Sequence, residues 1–425
     1  MKIRLNTVIL FFLLADNLYL PIDLGFDFRF NYVVFFIYIL YSILKNKKIV
    51  LNKNSIIFSI AMLPFLLIIP LLKGFSPLFT IKQIILIYIN FFVSYILLSS
   101  YKFNIITLMK DYINLIFIAA IVGLIQFVFQ RIGFIYLSDF SYLGFDMGYY
   151  VSKPESRIQS WFLEPSFLAY AFMPVIFLGV ARLFNIVNII SVKKSIIIIL
   201  TAILSQSAIG ILGILVSIII VVLSKYSILH KPKILIVTSA LAIAIGIAFY
   251  NTPEIKFRVD DTIKLFYSDK ITTKEVNSTN LSTYALYSNF RITKEAVKEN
   301  PVLGTGLGTY ESNYDRYLYK VIPESSYRKH YKINRKDANS LLLRITAELG
   351  LLGVFCVFYF FFNYRVKLKI NKFNSFKLNL WAINNAILVL VLIRLLRQGH
   401  YTMLGFTLFI LLYYFTRKQI DEKNI

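Results

Sequence analysis

From Ser195 to Lys225 the chain reads SIIIILTAILSQSAIGILGILVSIIIVVLSK, apolar almost throughout and broken only at Ser205, Gln206 and Ser207. No other feature constrains the fold as much, because ~20 consecutive apolar residues are what the core of a bilayer demands of a helix. Comparable runs recur along all 425 residues, 58% of which are hydrophobic, and the mean hydropathy is +0.68. The fold class expected is an all-α integral membrane protein, one polytopic domain over residues 1–425. A formal net charge of +24 would otherwise suggest nucleic acid or another anionic partner. In a chain this apolar the membrane lipid is the first partner, and no nucleic acid is implied.

About twelve transmembrane helices are expected, centred near Leu13, Phe36, Pro64, Ile87, Ala120, Pro174, Ile199, Ile214, Leu241, Val357, Val389 and Phe409. The N-terminus, MKIRLNTVILFFLLADNLYLPIDLGF, has a basic start and an apolar centre without a small-residue cleavage site, so it reads as a retained first span. Cys356 is the only cysteine, which excludes an intramolecular disulfide and C-x-x-C metal chemistry. With the N-terminus inside, the short inner segments hold 22 Lys and Arg and the short outer ones 7. The positive-inside rule then places both termini in the cytoplasm. Trp161 and Trp381 fall at opposite interfaces, where belt residues are expected.

Two outer segments stand apart. One covers residues 131–160; the other, residues 251–339, is the single large external loop, between spans 9 and 10. Long loops in compact proteins are commonly functional, so the site is expected there. Within the larger one, STYALYSNFRITKEAVKEN places Leu286, Phe290 and Val297 at roughly helical spacing, and Pro301 stops the pattern. A helix lying against the outer membrane face is expected. Basic residues outnumber acidic ones in this loop, a mild funnel for an anionic head group.

The polar residues that interrupt the apolar pattern are the candidates for chemistry. In RIQSWFLEPSFLAY, Glu164 precedes Pro165 at the start of an apolar run, as at a helix N-terminus, and the proline favours an extended approach from Arg157. Arg344 and Arg394 lie inside apolar spans, where a guanidinium is paired, functional or snorkelling to the interface. GTGLGTY has no preceding strand and no following Gly-Lys-Ser/Thr, so a nucleotide loop is not expected. Gly304 and Gly306 are read as allowing close backbone approach to the membrane or a ligand. No His, Asp or Glu cluster has metal-ligand spacing, and neither a metal nor a cofactor is expected.

Taken together, RIQSWFLEPSFLAY, LSQSAIGILGI, ENPVLGTGLGTY and RKDANSLLLRITAELGLLGVF resemble segments of the O-antigen polymerase and O-antigen ligase superfamily of membrane glycosyltransferases. Within it the chain looks more like a polymerase (Wzy type). Ligases of the superfamily carry a His-Asn pair before the Glu-Leu-Gly span, where this chain has Asp337-Ala338-Asn339, and often a Ser-Arg pair where it has Ser205, Gln206 and Ser207. His330, seven residues before Asp337, keeps a ligase reading open.

The resemblance implies a polyprenyl-diphosphate-linked oligosaccharide as substrate at the external face of a bacterial inner membrane. A flippase and a chain-length regulator are implied as partners. The protein must hold the diphosphate, orient the acceptor hydroxyl and assist its deprotonation. Arginine suits the first task, its planar fork matching phosphate oxygens. Arg157, Glu164, Arg291, Asp337 and His330 are therefore taken as catalytic candidates, and Arg344, Arg394, Arg397, His400, Gly304 and Gly306 as substrate-binding ones. The base is left open among Glu164, Asp337, His330 and His400; Glu164 is better suited to positioning an arginine or the acceptor. A transporter or lipid-linked sugar flippase is a third reading, disfavoured because no similar halves with interrupted midplane helices are found.

Overall fold

The computed structural model describes residues 5–422 apart from 24–26, 47–52, 135, 137, 148–156, 226–239, 241–246, 248–249, 252, 268–271, 324–331 and 369–372. The first half holds α1 (Leu5–Leu14), a short antiparallel pair β1 (Tyr19–Asp23) and β2 (Asp27–Arg29), then α2 (Phe30–Asn46), α3 (Lys53–Leu72), α4 (Pro77–Ser100) and α5 (Ile105–Arg131). After a loop come α6 (Pro165–Leu183), α7 (Val192–Leu204) and α8 (Ala208–Lys225). The large loop contains α9 (Pro253–Tyr267), α10 (Thr273–Ser278), α11 (Leu281–Glu299) and α12 (Tyr310–Val321). The chain ends with α13 (Leu341–Asn363), α14 (Ser375–Leu396) and α15 (Phe406–Glu422).

Every expected span centre falls on one of these helices except Leu241, which lies outside the described residues. Among the described residues six helices, α4, α5, α6, α8, α13 and α14, are long and apolar enough to cross a membrane, which makes this a multi-pass membrane protein. Two of the helices at the expected span centres are shorter than a full crossing: α1 has 10 residues and α7 has 13. At ~1.5 Å per residue both fall short of a ~30 Å core. The hairpin is a small departure from an all-helical chain; Leu18 beside it also bridges to Phe145.

α6 and α14 form the centre of the bundle. Most side chains of both are buried, and they pack on each other and on α8, with α7 against α6 and α15 against α14. Small residues permit this: a Cβ built at Gly213 of α8 would lie 2.0 Å from the Met173 sulfur of α6. Peripheral helices keep an apolar outer face, as α13 does with Leu351, Phe355, Tyr359 and Phe362. The two tryptophans do not form a belt. Trp381 is fully buried against Phe177 and Trp161 is packed on Phe11 and Phe162, so both serve the core.

The large loop folds as helices with a core of its own. Tyr284, Tyr287, Ile292 and Ala296 of α11 meet Tyr310, Tyr314, Tyr317 and Leu318 of α12. The expected helix exists and stops before Pro301. Tyr284, Tyr287, Ser288 and Asn289 point inward, whereas Leu286 and Val297 are half-buried and Phe290 is exposed, its ring against Phe266 of α9. The face turned toward the protein is thus made largely of tyrosine and asparagine.

Candidate active site

The residues at which α6 begins, α7 gives way to α8, α13 begins and α14 ends surround a cavity of about 560 Å³. Its walls include Arg157, Glu164, Ser207, Ser282, Asp337, Asn339, Arg397, Gln398 and His400, with Leu163, Phe167, Ile209 and Leu281 among the apolar members. Five sequence candidates, Arg157, Glu164, Asp337, Arg397 and His400, thus meet in one place. They come from segments separated by up to the whole length between Arg157 and His400.

Each wall is held by a local device. Gln126, buried in α5, fixes the approach to α6: its amide nitrogen donates to the Ser138 carbonyl at 2.7 Å, and its oxygen accepts from the N–H groups of Gln159 and Ser160 at 3.1 and 2.8 Å. Arg157 then reaches the end of α7, donating to the carbonyls of Ser205 at 3.1 Å and Gln206 at 2.7 Å. A cation at a helix C-terminus, where carbonyls lack intrahelical partners, is favourable. Glu164 is the N-cap residue of α6 and Pro165 its first helical residue, as expected, and the Ser166 hydroxyl donates to the Glu164 carboxylate at 3.2 Å.

The other two walls are locked to each other. The N–H of Gln398 donates to the Asn339 carbonyl at 2.9 Å and the Ser340 hydroxyl to the Leu395 carbonyl at 2.6 Å. Gly399 runs so close that a Cβ there would sit 1.5 Å from the Asp337 carbonyl oxygen; only glycine fits. Ser160, Gln206, Ala338, Asn339 and Gln398 all have φ between 49° and 72°. That left-handed region is unfavourable for side chains with a Cβ and is retained where the surroundings enforce it, often around sites.

Within this frame the Asp337 carboxylate accepts from the Asn334 amide at 2.9 Å and lies 3.4 Å from His400 Nε2. Burial pushes the His400 imidazole down to about 4 from its usual 6.5, outweighing the upward pull of Asp337, with Arg344, Arg29 and Arg394 adding to the fall. His400 is therefore neutral near pH 7 and able to accept a proton. Arg397, which ends α14, donates to the Ser282 hydroxyl of α11 at 2.8 Å.

The remaining candidates lie elsewhere. Arg291 is on α11 away from the cavity lining, its guanidinium 3.1 Å from the Tyr287 hydroxyl and over that ring. His330 lies outside the described residues. Arg344 and Arg394 do not snorkel; both are buried and neither lines the cavity. Arg344 donates to Glu348 at 2.9 Å, to Gln83 at 2.9 Å and to the Gly399 carbonyl at 3.1 Å. Arg394 donates to the carbonyls of His400 at 2.8 Å and Met403 at 3.0 Å, with its guanidinium 4.2 Å from the Phe406 ring centroid. Gly304 and Gly306 form a clasp beside α13 and α3: added Cβ atoms would meet Glu348 backbone at 2.5 Å and Pro70 at 2.8 Å.

One buried residue was missed. Glu348 has no exposed surface and accepts four bonds, from Arg344 Nε, the N–H groups of Gly308 and Tyr310, and the Tyr401 hydroxyl. Its spacing of four from Arg344 in an otherwise apolar run was the available signal.

Residues 195–358 match the model of the family described as O-antigen ligase. No curated protein matches the chain at a significant level. The matched segment covers the α7–α8 turn, Asp337, Asn339, Arg344 and Glu348, while Arg157, Glu164 and His400 lie on either side of it. This match and the resemblance read from the sequence agree: over residues 195–358 this multi-pass membrane protein is similar to the O-antigen ligase family.

Proposed function

We propose that this protein polymerises polyprenyl-diphosphate-linked oligosaccharide repeats at the external face of a bacterial inner membrane, with both termini cytoplasmic. The observation that carries the reading is the cavity where Arg157, Arg397, Glu164, Asp337 and His400 meet at one end of the bundle. In this reading the acceptor sugar hydroxyl attacks the anomeric carbon of the growing glycan. The C–O bond to the diphosphate breaks and the bond pair leaves with polyprenyl diphosphate. Arg157 and Arg397 take up its charge. The hydroxyl proton passes to neutral His400, whose position Asp337 fixes and whose imidazolium it stabilises as it forms. Glu164, half-buried at the start of α6, orients the acceptor.

The absence of a histidine directly before Asn339 supports polymerase over ligase. His400 beside Asp337 supports the ligase as second reading, because it brings an imidazole to that region from another segment. Surface glycolipid from a strain lacking the gene separates them on a gel. Single-repeat molecules in place of a ladder identify a polymerase. Unmodified acceptor, with polymer left on the lipid carrier, identifies a ligase. An unchanged ladder overturns both.

A further inference from the structure

Residues 398–405, between α14 and α15, form an irregular connection with Gln398 and Leu404 at φ of 72° and 55°, and of its carbonyls Met403 alone is met by a flanking helix, through the Phe406 N–H among the described contacts. Buried carbonyls in such a segment need donors from elsewhere. Three of them are met by guanidinium groups buried in the bundle: Gly399 by Arg344, and His400 and Met403 both by Arg394. Arg394 is the more telling, since it is fully buried and donates to carbonyls. A cation inside a span is retained at considerable cost, and the fork of arginine, unlike the point charge of lysine, grips two carbonyls at once.

We infer that Arg344 and Arg394 are positioning residues, a two-sided clamp on the Gly399–Met403 backbone that holds the His400 ring against Asp337 at the cavity wall. The inference rests on the reading of His400 as proton acceptor and deepens it. It also departs from the sequence expectation that these arginines bind substrate. Arg344 reaches the segment from α13, where Glu348 holds its Nε; Arg394 reaches it from the last turn of α14. Between them the chain passes Asp337 at glycine-only distance. A shift of the 399–403 backbone therefore moves His400 relative to Asp337.

A double-mutant cycle on the purified full-length protein in lipid nanodiscs tests the clamp, using lipid-diphosphate-linked repeat as substrate. Arg394→Lys is expected to lower kcat by about 100-fold, as for a misplaced catalytic group, with KM for the lipid donor unchanged. In a His400→Ala background the same change should have little further effect. Equal losses in both backgrounds, or a raised KM with unchanged kcat, would overturn the inference and return Arg394 to substrate binding. Arg344→Lys runs as a parallel cycle, so the test survives poor insertion of either variant.

A second readout needs no turnover: the rate at which diethyl pyrocarbonate modifies His400, followed by mass spectrometry across pH. The groups facing His400 are Asp337, Arg344, Arg394 and Arg29, with Glu164, Arg157, Arg397 and Tyr170 on the same cavity. Loosening the clamp should move the midpoint of modification toward that of an ordinary histidine; an unmoved midpoint in both arginine variants would refute it. If His400→Ala retains full kcat, the proton-acceptor reading fails, while the modification profile still judges the clamp.

Discussion

Replacing Glu348 by Gln changes one atom, and the structure gives the size of its effect. With the amide oxygen kept toward Arg344 Nε and the Tyr310 N–H, the new NH2 faces the Gly308 N–H, which donates to the carboxylate at 2.9 Å in the native protein. Tyr401 can turn its hydroxyl to accept, but Gly308 cannot, and a buried donor without acceptor costs about 1–3 kcal/mol. Arg344 meanwhile loses its ion pair with Glu348 and keeps neutral acceptors on Gly399 and Gln83. Breaking a buried pair from one side costs about 3–5 kcal/mol. The two losses overlap, and the retained acceptors place the total near the lower end, about 3 kcal/mol. The midpoint should fall on the order of 5 °C. Heating the detergent-purified variant and measuring the monodisperse fraction by size exclusion reads this directly. Arg344→Met combined with Glu348→Gln should lose clearly less than the sum of the two single losses, because no unpaired cation remains although the Gly399 carbonyl gives up its donor. A Glu348→Gln protein as stable as wild type, or a double variant showing the sum of both single losses, would refute the account.

Other outcomes follow from the cavity. Arg157→Ala and Arg397→Ala should each abolish visible polymer in a complemented deletion strain while membrane levels persist; a normal ladder removes that residue from the site. Arg291→Ala should retain the ladder, since its guanidinium sits over Tyr287 rather than at the cavity. Gly399→Ala should fail in both level and activity, because the clash is with the Asp337 backbone rather than a movable side chain; near-normal product would contradict the close approach. His400, held down to about 4, should leave the rate flat from pH 7.5 to 5.5 and make it fall only near pH 4. Its folded value lies below the unfolded one, so the unfolded chain binds the extra proton and stability falls as pH drops from 6.5 toward 4. A rate with a midpoint near 6.5 would place His400 in ordinary solvent.

The parts of this molecule that were readable from sequence are those set by neighbours along the chain. Glu164 and Pro165 announced the start of α6, and Ser205–Ser207 divided α7 from α8, because helix ends are written in local residues. Arg394 could be flagged as unusual, but not assigned, because its hydrogen bonds go to main-chain carbonyls that every residue carries, and the same holds for the reach of Arg344 to Gly399, though not for its pairing with Glu348. Likewise nothing local couples Arg157 to the carbonyls of Ser205 and Gln206, or Asp337 to His400; those pairings exist only once the helix ends meet. The tryptophans were misplaced for the converse reason. An amphipathic ring is as acceptable in a core as at an interface, so its sequence position could not choose between them.

Folding of the bundle and shaping of its mouth rest on different interactions. α6 and α14 bury apolar side chains along nearly their whole length, and that burial assembles the helices without fixing where their ends point. The ends are fixed from below by polar groups taken out of solvent: Gln126 under the Arg157 segment, Arg344 with Glu348 under α13 and the Gly308 turn, and Arg394 under His400. Each such group would be costly if its partner moved, so each penalises alternative loop arrangements more than it stabilises the native one relative to the unfolded chain. The left-handed residues at Gln206, Ala338, Asn339 and Gln398 fit this division, for strain at a mouth persists only where the scaffold beneath over-determines it. A 13-residue α7 belongs to the same design. Being shorter than a full span, it ends where the half-buried Arg157 can reach the carbonyls of Ser205 and Gln206 at the cavity wall.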